Sequence, residues 1–460
     1  MSEPTALSLV PPIVVLVLAI WLRRPILALI IGAVSGLLLL DPSQVLNNFA
    51  DISLKVMADE TIGWLILVCG SFGALIALLV RTGGALAFGR KAIKLAKGPR
   101  SSLLMTFVLG LVIFIDDYLN ALTVGETMKR VTDRFKISRE MLAYVVDSTA
   151  APVCVLVPLS TWAVFFGGLL VNNGVAAEGE GIQIYMQAIP YMFYAWLAVA
   201  MVLLVILGIV PAIGPMKKAQ LAAAAGSPAK EQTNFDEVQT LDEYAVRAME
   251  EEFELADKQG QLHNFLVPIL LLVGFTVYFD IDVWKGLVAT LVITLPYYAV
   301  QRLMPLSEMM DQMIDGFKSM LPAIGTVIAA FVFKDVCDQL LLPQYVIDSL
   351  SPFMTPKLLP AVVFVAMAIL AFATGSSWGI FAVTIPIVMP LAQSVGADIP
   401  LVIGALLSAS SFGSQACFYS DSTVLAAQGS GCNLVSHAVT QLPYALIAAA
   451  LTFVGFIIVA

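Results

Sequence analysis

Apolar residues in this chain fall into runs long enough to cross a membrane. They lie at about 8–22, 25–40, 62–80, 141–171, 186–214, 263–279, 284–300, 319–334, 399–428 and 434–459. A transmembrane helix needs about 20 mostly apolar residues, so each run predicts a span. Two further stretches, 101–131 and 357–392, are long but interrupted. The first breaks at Asp116 and Asp117, the second at Thr374, Gly375, Ser376 and Ser377. Stretches at about 44–58 and 304–318 are amphipathic and predict helices lying along the membrane surface.

Composition agrees with the pattern. The chain has 460 residues, 59% hydrophobic and 12% charged, with a mean hydropathy of +0.91. Soluble proteins carry about twice that charged share, and only a bilayer accommodates so much apolar surface. The net charge of −9 gives no basic footprint for nucleic acid. The five cysteines form no CxxC pair and read as apolar packing residues. With only two histidines, a zinc or haem site is not expected, nor any resident cofactor. No basic segment precedes the first apolar run, which reads as a span and not as a cleaved signal.

Basic residues set the orientation. Arg90, Lys91, Lys94, Lys97 and Arg100 precede 101–131, and Lys129, Arg130, Arg134, Lys136 and Arg139 follow it. Both ends are then cytoplasmic, and the stretch enters, turns at its polar break and returns as a re-entrant hairpin. Two full spans are the alternative, and they would violate the positive-inside rule. Arg23 and Arg24 lie inside, while 172–181, with no basic residue, and Asp280 and Asp282 lie outside. The second hairpin, 357–392, falls on the outer side.

The expected fold is an all-α polytopic membrane protein of two inverted-topology repeats. Each has five spans, one of them broken, and a re-entrant hairpin. Residues 1–214 form the first repeat, 215–262 an acidic cytoplasmic linker with a short surface helix, and 263–460 the second repeat. Leu9, Val10 and Pro11 open the first as Leu266, Val267 and Pro268 open the second. Asp116 and Asp117 correspond to Thr374 and Gly375, and Ser160 and Thr161 to Ser422 and Thr423. An odd number of crossings inverts the second copy, and inverted repeats with broken helices mark secondary transporters. A bacterial inner membrane with both termini periplasmic is the expected location.

Carboxylates inside a bilayer are costly and usually functional. Asp116, Asp117, Asp147 and Asp421 stand out. Adjacent Asp116 and Asp117 at a hairpin tip suit either a hard cation such as sodium or proton exchange. Asp147, Ser148 and Thr149 precede Pro152, which lacks a backbone donor and frees a carbonyl one turn back. Carbonyls and hydroxyls freed at such a break are sodium ligands; their bland alternative is bonding back to their own helix. The second half offers Thr374, Ser376 and Ser377 at its hairpin tip, then a small polar run from 408 to 415 with Gly413 as the expected break, and Asp421, Ser422 and Thr423 beyond. Lys334, Asp335 and Asp338 read as a boundary charge cluster, and His437 as interfacial, with a proton-sensing role as the alternative.

Three stretches together resemble the NhaC family of sodium/proton antiporters. They are 114–125 with Asp116, Asp117 and Asn120; 137–152 with Asp147, Ser148 and Thr149, followed by Ser160, Thr161 and Trp162; and 373–379 through Asp421, Ser422 and Thr423 to Thr440, Gln441, Leu442, Pro443 and Tyr444. The likeness covers nearly the whole chain. It implies sodium-coupled transport by an elevator-like movement, with ions held by Asp116, Asp117, Asn120, Asp147, Ser148, Thr149, Asp421, Ser422 and Thr423. Sodium ligation is expected from Asp117, Asn120, Thr149 and Asp421. One departure is that Phe412 and Gly413 are followed by Ser414 and Gln415, where the family pattern has an acid and a histidine. Two readings follow. One is a sodium/proton antiporter. The other is a sodium-driven carrier of an amino acid or small carboxylate, with Thr374, Ser376, Ser377, Ser414 and Gln415 facing solute. No GxGD, HExxH or GxSxG motif supports an intramembrane enzyme. A homodimer is expected by analogy with the superfamily.

Overall fold

The computed structural model describes residues 5–22, 24–83, 87, 95–225, 260–280, 282–350, 352, 354–374, 377–418 and 420–460. The regular elements among these residues are all helices, with no strand. Apolar runs without a partner strand satisfy their backbone only as helices.

In the first half, α1 (Val10–Leu22) and α2 (Pro25–Leu40) lead to the amphipathic α3 (Val45–Met57) and the long α4 (Glu60–Arg81). The stretch 101–131 forms two helices joined at 113–116, α5 (Pro99–Val112) and α6 (Asp117–Arg134), the first hairpin. Then α7 (Arg139–Thr149), α8 (Ala151–Leu156) and α9 (Thr161–Asn172) make one bent unit, broken by 41° between α8 and α9. Next, α10 (Gly181–Ala188) and α11 (Phe193–Leu207) form a second bent unit, and α12 (Gly214–Ala224) opens the expected linker. The rest of that linker, 226–259, lies outside the described residues.

The second half repeats this order. It runs α13 (Leu262–Tyr278), α14 (Val283–Val300), amphipathic α15 (Leu306–Ser319), α16 (Leu321–Gln339) and a short α17 (Leu342–Leu350). A helix pair follows, α18 (Leu359–Thr374) and α19 (Ser377–Val395), and then α20 (Ile399–Ala416), α21 (Asp421–Ser430) and α22 (Leu434–Val459). Five described segments are long and apolar enough to cross a bilayer, or seven if each bent pair counts as one. Other expected spans are shorter apolar helices, such as Ile26–Leu40 and Leu262–Tyr278. The chain is a multi-pass membrane protein: Trp21, Leu270, Ile369 and Ile458 stand exposed on its outside, where lipid and not water suits them.

Two expectations about helix breaks change. α20 does not break at Gly413 but runs through it to Ala416, and the chain leaves the helix between 417 and 420. Gly413 is small because the α18 backbone at Ala371 presses against it. The first broken span has two interruptions where one was expected, at Ala150 and at 157–160. Pro152 falls in the first turn of α8, where no intrahelical N–H is required.

The halves interlock. α15 lies along α4 so closely that a Cβ on Gly316 would meet the carbonyl oxygen of Gly73. Arg81 of α4 also pairs with Glu308 of α15 at 2.5 Å. Reciprocally, α3 packs on α16 and Lys55 reaches Asp335 at 2.5 Å. The Asp335 carboxylate raises the Lys55 ammonium above its usual range, but Lys55 is 73% exposed, so this pair adds little stability. Deeper in, α6 packs on α21, while Phe381 of α19 meets Trp162 and Phe166 of α9 edge-on at 6.1 and 4.9 Å. Each hairpin's second helix therefore rests on the far part of the other half's broken unit.

Candidate functional site

The first hairpin turns at 113–116, buried inside the protein. Asp116 caps α6: its Oδ1 accepts the amides of Tyr118 and Leu119, both at 3.0 Å. Its Oδ2 accepts the Thr161 hydroxyl at 3.0 Å, and the Thr161 amide donates to the Ile115 carbonyl at 2.9 Å. These bonds dock the tip against the start of α9. Asp117, the first residue of α6, is 2% exposed. Asn120 ties the same turn to the first helix break: its Nδ2 faces the carbonyls of Gly110, Ile113 and Thr149 at 2.7, 2.8 and 2.9 Å. Among the described residues its Oδ1 is buried without a hydrogen-bond donor, and the hydroxyls of Thr123 and Thr127 further along α6 are buried without a partner. A stripe of oxygens thus runs from the tip along the hairpin's return helix.

Asp147, on α7, is the centre of a second cluster. Its Oδ2 accepts from Gln441 Nε2 at 2.7 Å and lies 3.2 Å from Thr423 Oγ1 and 3.3 Å from His437 Nε2. These partners come from α21 and α22, nearly three hundred residues away. Gln441 also donates to the Gln415 carbonyl at 2.5 Å. Gln415 reaches back to Ser148 Oγ at 2.6 Å and accepts the Tyr194 hydroxyl at 2.6 Å. Across the 417–420 break, the Ser414 carbonyl at the end of α20 accepts the hydroxyls of Ser420, Ser422 at 3.0 Å and Thr423 at 2.8 Å. Hydroxyls thereby satisfy a helix-end carbonyl that would otherwise be orphaned. Neither Asp116 nor Asp147 has a lysine or arginine partner among the described residues.

Known proteins place this architecture. A sequence profile of the Na+/H+ antiporter family matches residues 153–460. An uncharacterized protein of Haemophilus influenzae is 30% identical over 493 residues, covering 98% of this chain and 90% of its own length. The chain belongs to the Na+/H+ antiporter family. This makes it a secondary transporter and not an enzyme. Within a shorter stretch of 201 residues it is 25% identical to the malate-2H(+)/Na(+)-lactate antiporter of Bacillus subtilis, 41% of this chain and 42% of that one. The solved YdaH transporter of Alcanivorax borkumensis superposes with a TM-score of 0.57 over 90% of this chain and 87% of that one. Its sequence identity is 12%, so the likeness shows the fold alone.

For a family member, the placement of the expected site residues is informative. Asp116, Asp117 and Asn120 share the first hairpin tip, and Asn120 joins it to Thr149. Asp147, Ser148, Ser414, Gln415, Ser422 and Thr423 gather around the two helix breaks. Thr149 turns its hydroxyl onto its own helix at Val145 and Val146, leaving its carbonyl to Asn120. Asp421 opens α21, but its side chain lies outside the described residues, as do the side chains of Thr374 and Ser377 and all of Ser376. His437 is not interfacial: it is fully buried against Asp147. Its contact with Asp147, and the presence of Gln441 and Tyr194 in the site, are what sequence reasoning missed. The family's expected acid and histidine are absent after Gly413, yet a carboxylate and an imidazole still meet in the same region, brought there by α7 and α22. Carboxylate and amide oxygens are the ligands a hard cation prefers, and Asp147 Oδ1 and Asn120 Oδ1 are both buried without donors among the described residues.

Proposed function

We propose that this chain exchanges sodium for protons across a bacterial inner membrane. The observation that carries the reading is the burial of Asp116 and Asp147 with no lysine or arginine opposite either among the described residues. An unmatched carboxylate in a low-dielectric site is stable only when it holds a proton or a cation. A site that accepts either one is the minimal exchanger. Sodium is the cargo here, and the chain requires no resident cofactor.

Movement would follow an elevator scheme. The hairpins α5–α6 and α18–α19 with the broken units α7–α9 and α20–α21 would travel together, against a scaffold that includes α4, α15, α3 and α16. Two inverted repeats, periplasmic termini and a dimer that anchors the scaffold belong to the same proposal. The interlocked contacts of α4 with α15 and of α3 with α16 support the scaffold assignment.

A second reading is exchange of a small organic acid coupled to sodium, favoured by the stretch shared with the Bacillus subtilis malate/lactate antiporter. Thr374, Ser376, Ser377, Ser414 and Gln415 would then face the solute. Purified protein in proteoliposomes separates the two. A sodium gradient imposed without organic solute should change internal pH, and Asp117→Asn should remove that change. Proton movement that appears only when malate or lactate is added would select the second reading.

A further inference from the structure

Away from the two helix breaks, a cavity of about 220 Å³ opens between the start of α4 and the end of α9. One wall is α4, with Glu60 and Trp64. The other is α9 and the segment after it, with Gly167, Gly168, Glu178 and Gly181. That second wall is built tightly: a Cβ on Gly181 would lie 2.3 Å from the Gly167 carbonyl oxygen, so α9 and α10 meet backbone to backbone. The lining is mostly apolar. Its two charged side chains, Glu60 and Glu178, are exposed, and neither forms an ion pair among the described residues. No cation is at hand to match them. The sequence holds no lysine, arginine or histidine between Arg139 and Lys217. Arg81, the one basic residue of α4, pairs with Glu308 at the opposite end of that helix, and Lys55 of α3 is turned to Asp335.

We propose that this cavity binds a monovalent organic cation, an apolar amine or quaternary ammonium, and that its occupant blocks exchange by wedging α9 against α4. The apolar body fills the cavity, and the charge sits between the two carboxylates at the mouth. Trp64 adds to the attraction, because an indole binds a cation through its ring. Sodium does not fit this description: a hard cation needs a cage of oxygens, and an apolar lining supplies none. A phospholipid headgroup does not fit either. It would bring a phosphate beside two carboxylates, with no basic residue to receive it.

The effect on exchange rests on the elevator reading, since only there does α9 slide past α4; binding does not depend on it. Gly168, which lines the cavity, is also where α9 touches Leu65 of α4. A guest in the cavity therefore lies beside the surface that must slide. Filling the gap from the outside of the bundle holds the two helices in one relation, without touching Asp116 or Asp147.

The probe is benzyltrimethylammonium, whose charge does not titrate. Binding is read as thermal stabilisation of the full-length protein in nonionic detergent, with potassium chloride holding ionic strength. Stabilisation should saturate, with an affinity that added sodium leaves unchanged, and neutral benzyl alcohol should not reproduce it. Glu60→Gln with Glu178→Gln should weaken binding about tenfold, and Trp64→Leu about threefold. Wild-type affinity in the double variant, no saturable binding, or equal stabilisation by benzyl alcohol overturns the proposal and leaves the elevator scheme untouched. Displacement of the probe by phosphatidylethanolamine bicelles overturns the free cation in favour of a lipid headgroup. Flux is then measured in phosphatidylglycerol proteoliposomes with the probe on both faces. It should stop sodium-dependent proton movement in the wild type. The double variant, with both carboxylates far from the ion site, should keep its flux. Saturable binding with unaltered wild-type flux overturns the block, and with it the sliding of α9 past α4. A wild type with no sodium-dependent proton flux before the probe is added removes the exchange reading and the block together.

Discussion

Asp116 and Asp117 are adjacent in sequence but have different jobs in the structure. Asp116 accepts two backbone amides and a hydroxyl, so its carboxylate holds the hairpin turn together. Removing such a cap costs about 1 kcal/mol. Asp116→Ala should therefore lower the melting temperature measurably, whereas Asp117→Asn should leave it near wild type and abolish sodium-dependent proton flux. Unaltered flux in Asp117→Asn would remove that residue from the ion site. The acids were legible because a carboxylate inside an apolar run stands out in any sequence. Gln441, and the contact of His437 with Asp147, were not. Each lies near the start of an ordinary apolar helix, and only folding brings them to Asp147. No spacing rule connects positions that far apart.

At the level of elements, apolar runs foretold an all-helical membrane fold, and polar interruptions marked where helices end. Break positions were less legible, because a glycine in a helix can signal a bend or a close neighbour. Gly413 serves the second purpose, and the true break at 417–420 shows itself only in the Ser420 cap and the hydroxyls that return to the Ser414 carbonyl. Gly125 is another contact glycine. A Cβ there would lie 2.6 Å from the backbone carbon of Gly429, which cannot swing aside as a side chain would. Gly125→Val should push α6 away from α21, with an overpacking cost of about 1–3 kcal/mol and loss of transport. Gly274, on α13, has open space around its Cβ position. Gly274→Ala should leave transport intact and leave melting unchanged or slightly raised, since alanine is the better helix former. Equal effects from the two substitutions, measured by thermal melting and flux, would contradict the packing argument.

For the whole molecule, the proposed elevator scheme, if it operates, would divide the contacts into those that slide and those that hold. The α4 and α15 contact belongs to the holding class, with Gly73 against Gly316 and Arg81 paired to Glu308. The α9 and α4 contact belongs to the sliding class: a Cβ on Gly168 would touch the Leu65 side chain at 2.7 Å. Paired cysteines read this division directly, once the five buried native cysteines are replaced by alanine. Oxidising Ala77→Cys with Gly316→Cys, where a Cβ on Gly316 would lie 2.8 Å from that of Ala77, should leave transport unchanged, because under the scheme both ends belong to the scaffold. Oxidising Leu65→Cys with Gly168→Cys should stop transport, and a reductant should restore it, because the bridge joins a moving helix to a fixed one. Each pair is followed by gel mobility, which reports bridge formation, and by proteoliposome flux. Full flux with the Leu65→Cys and Gly168→Cys bridge closed would mean that α9 and α4 travel together. The moving body would then have to be drawn smaller, as the hairpins and α21 alone, or the elevator abandoned for local gating around Asp147.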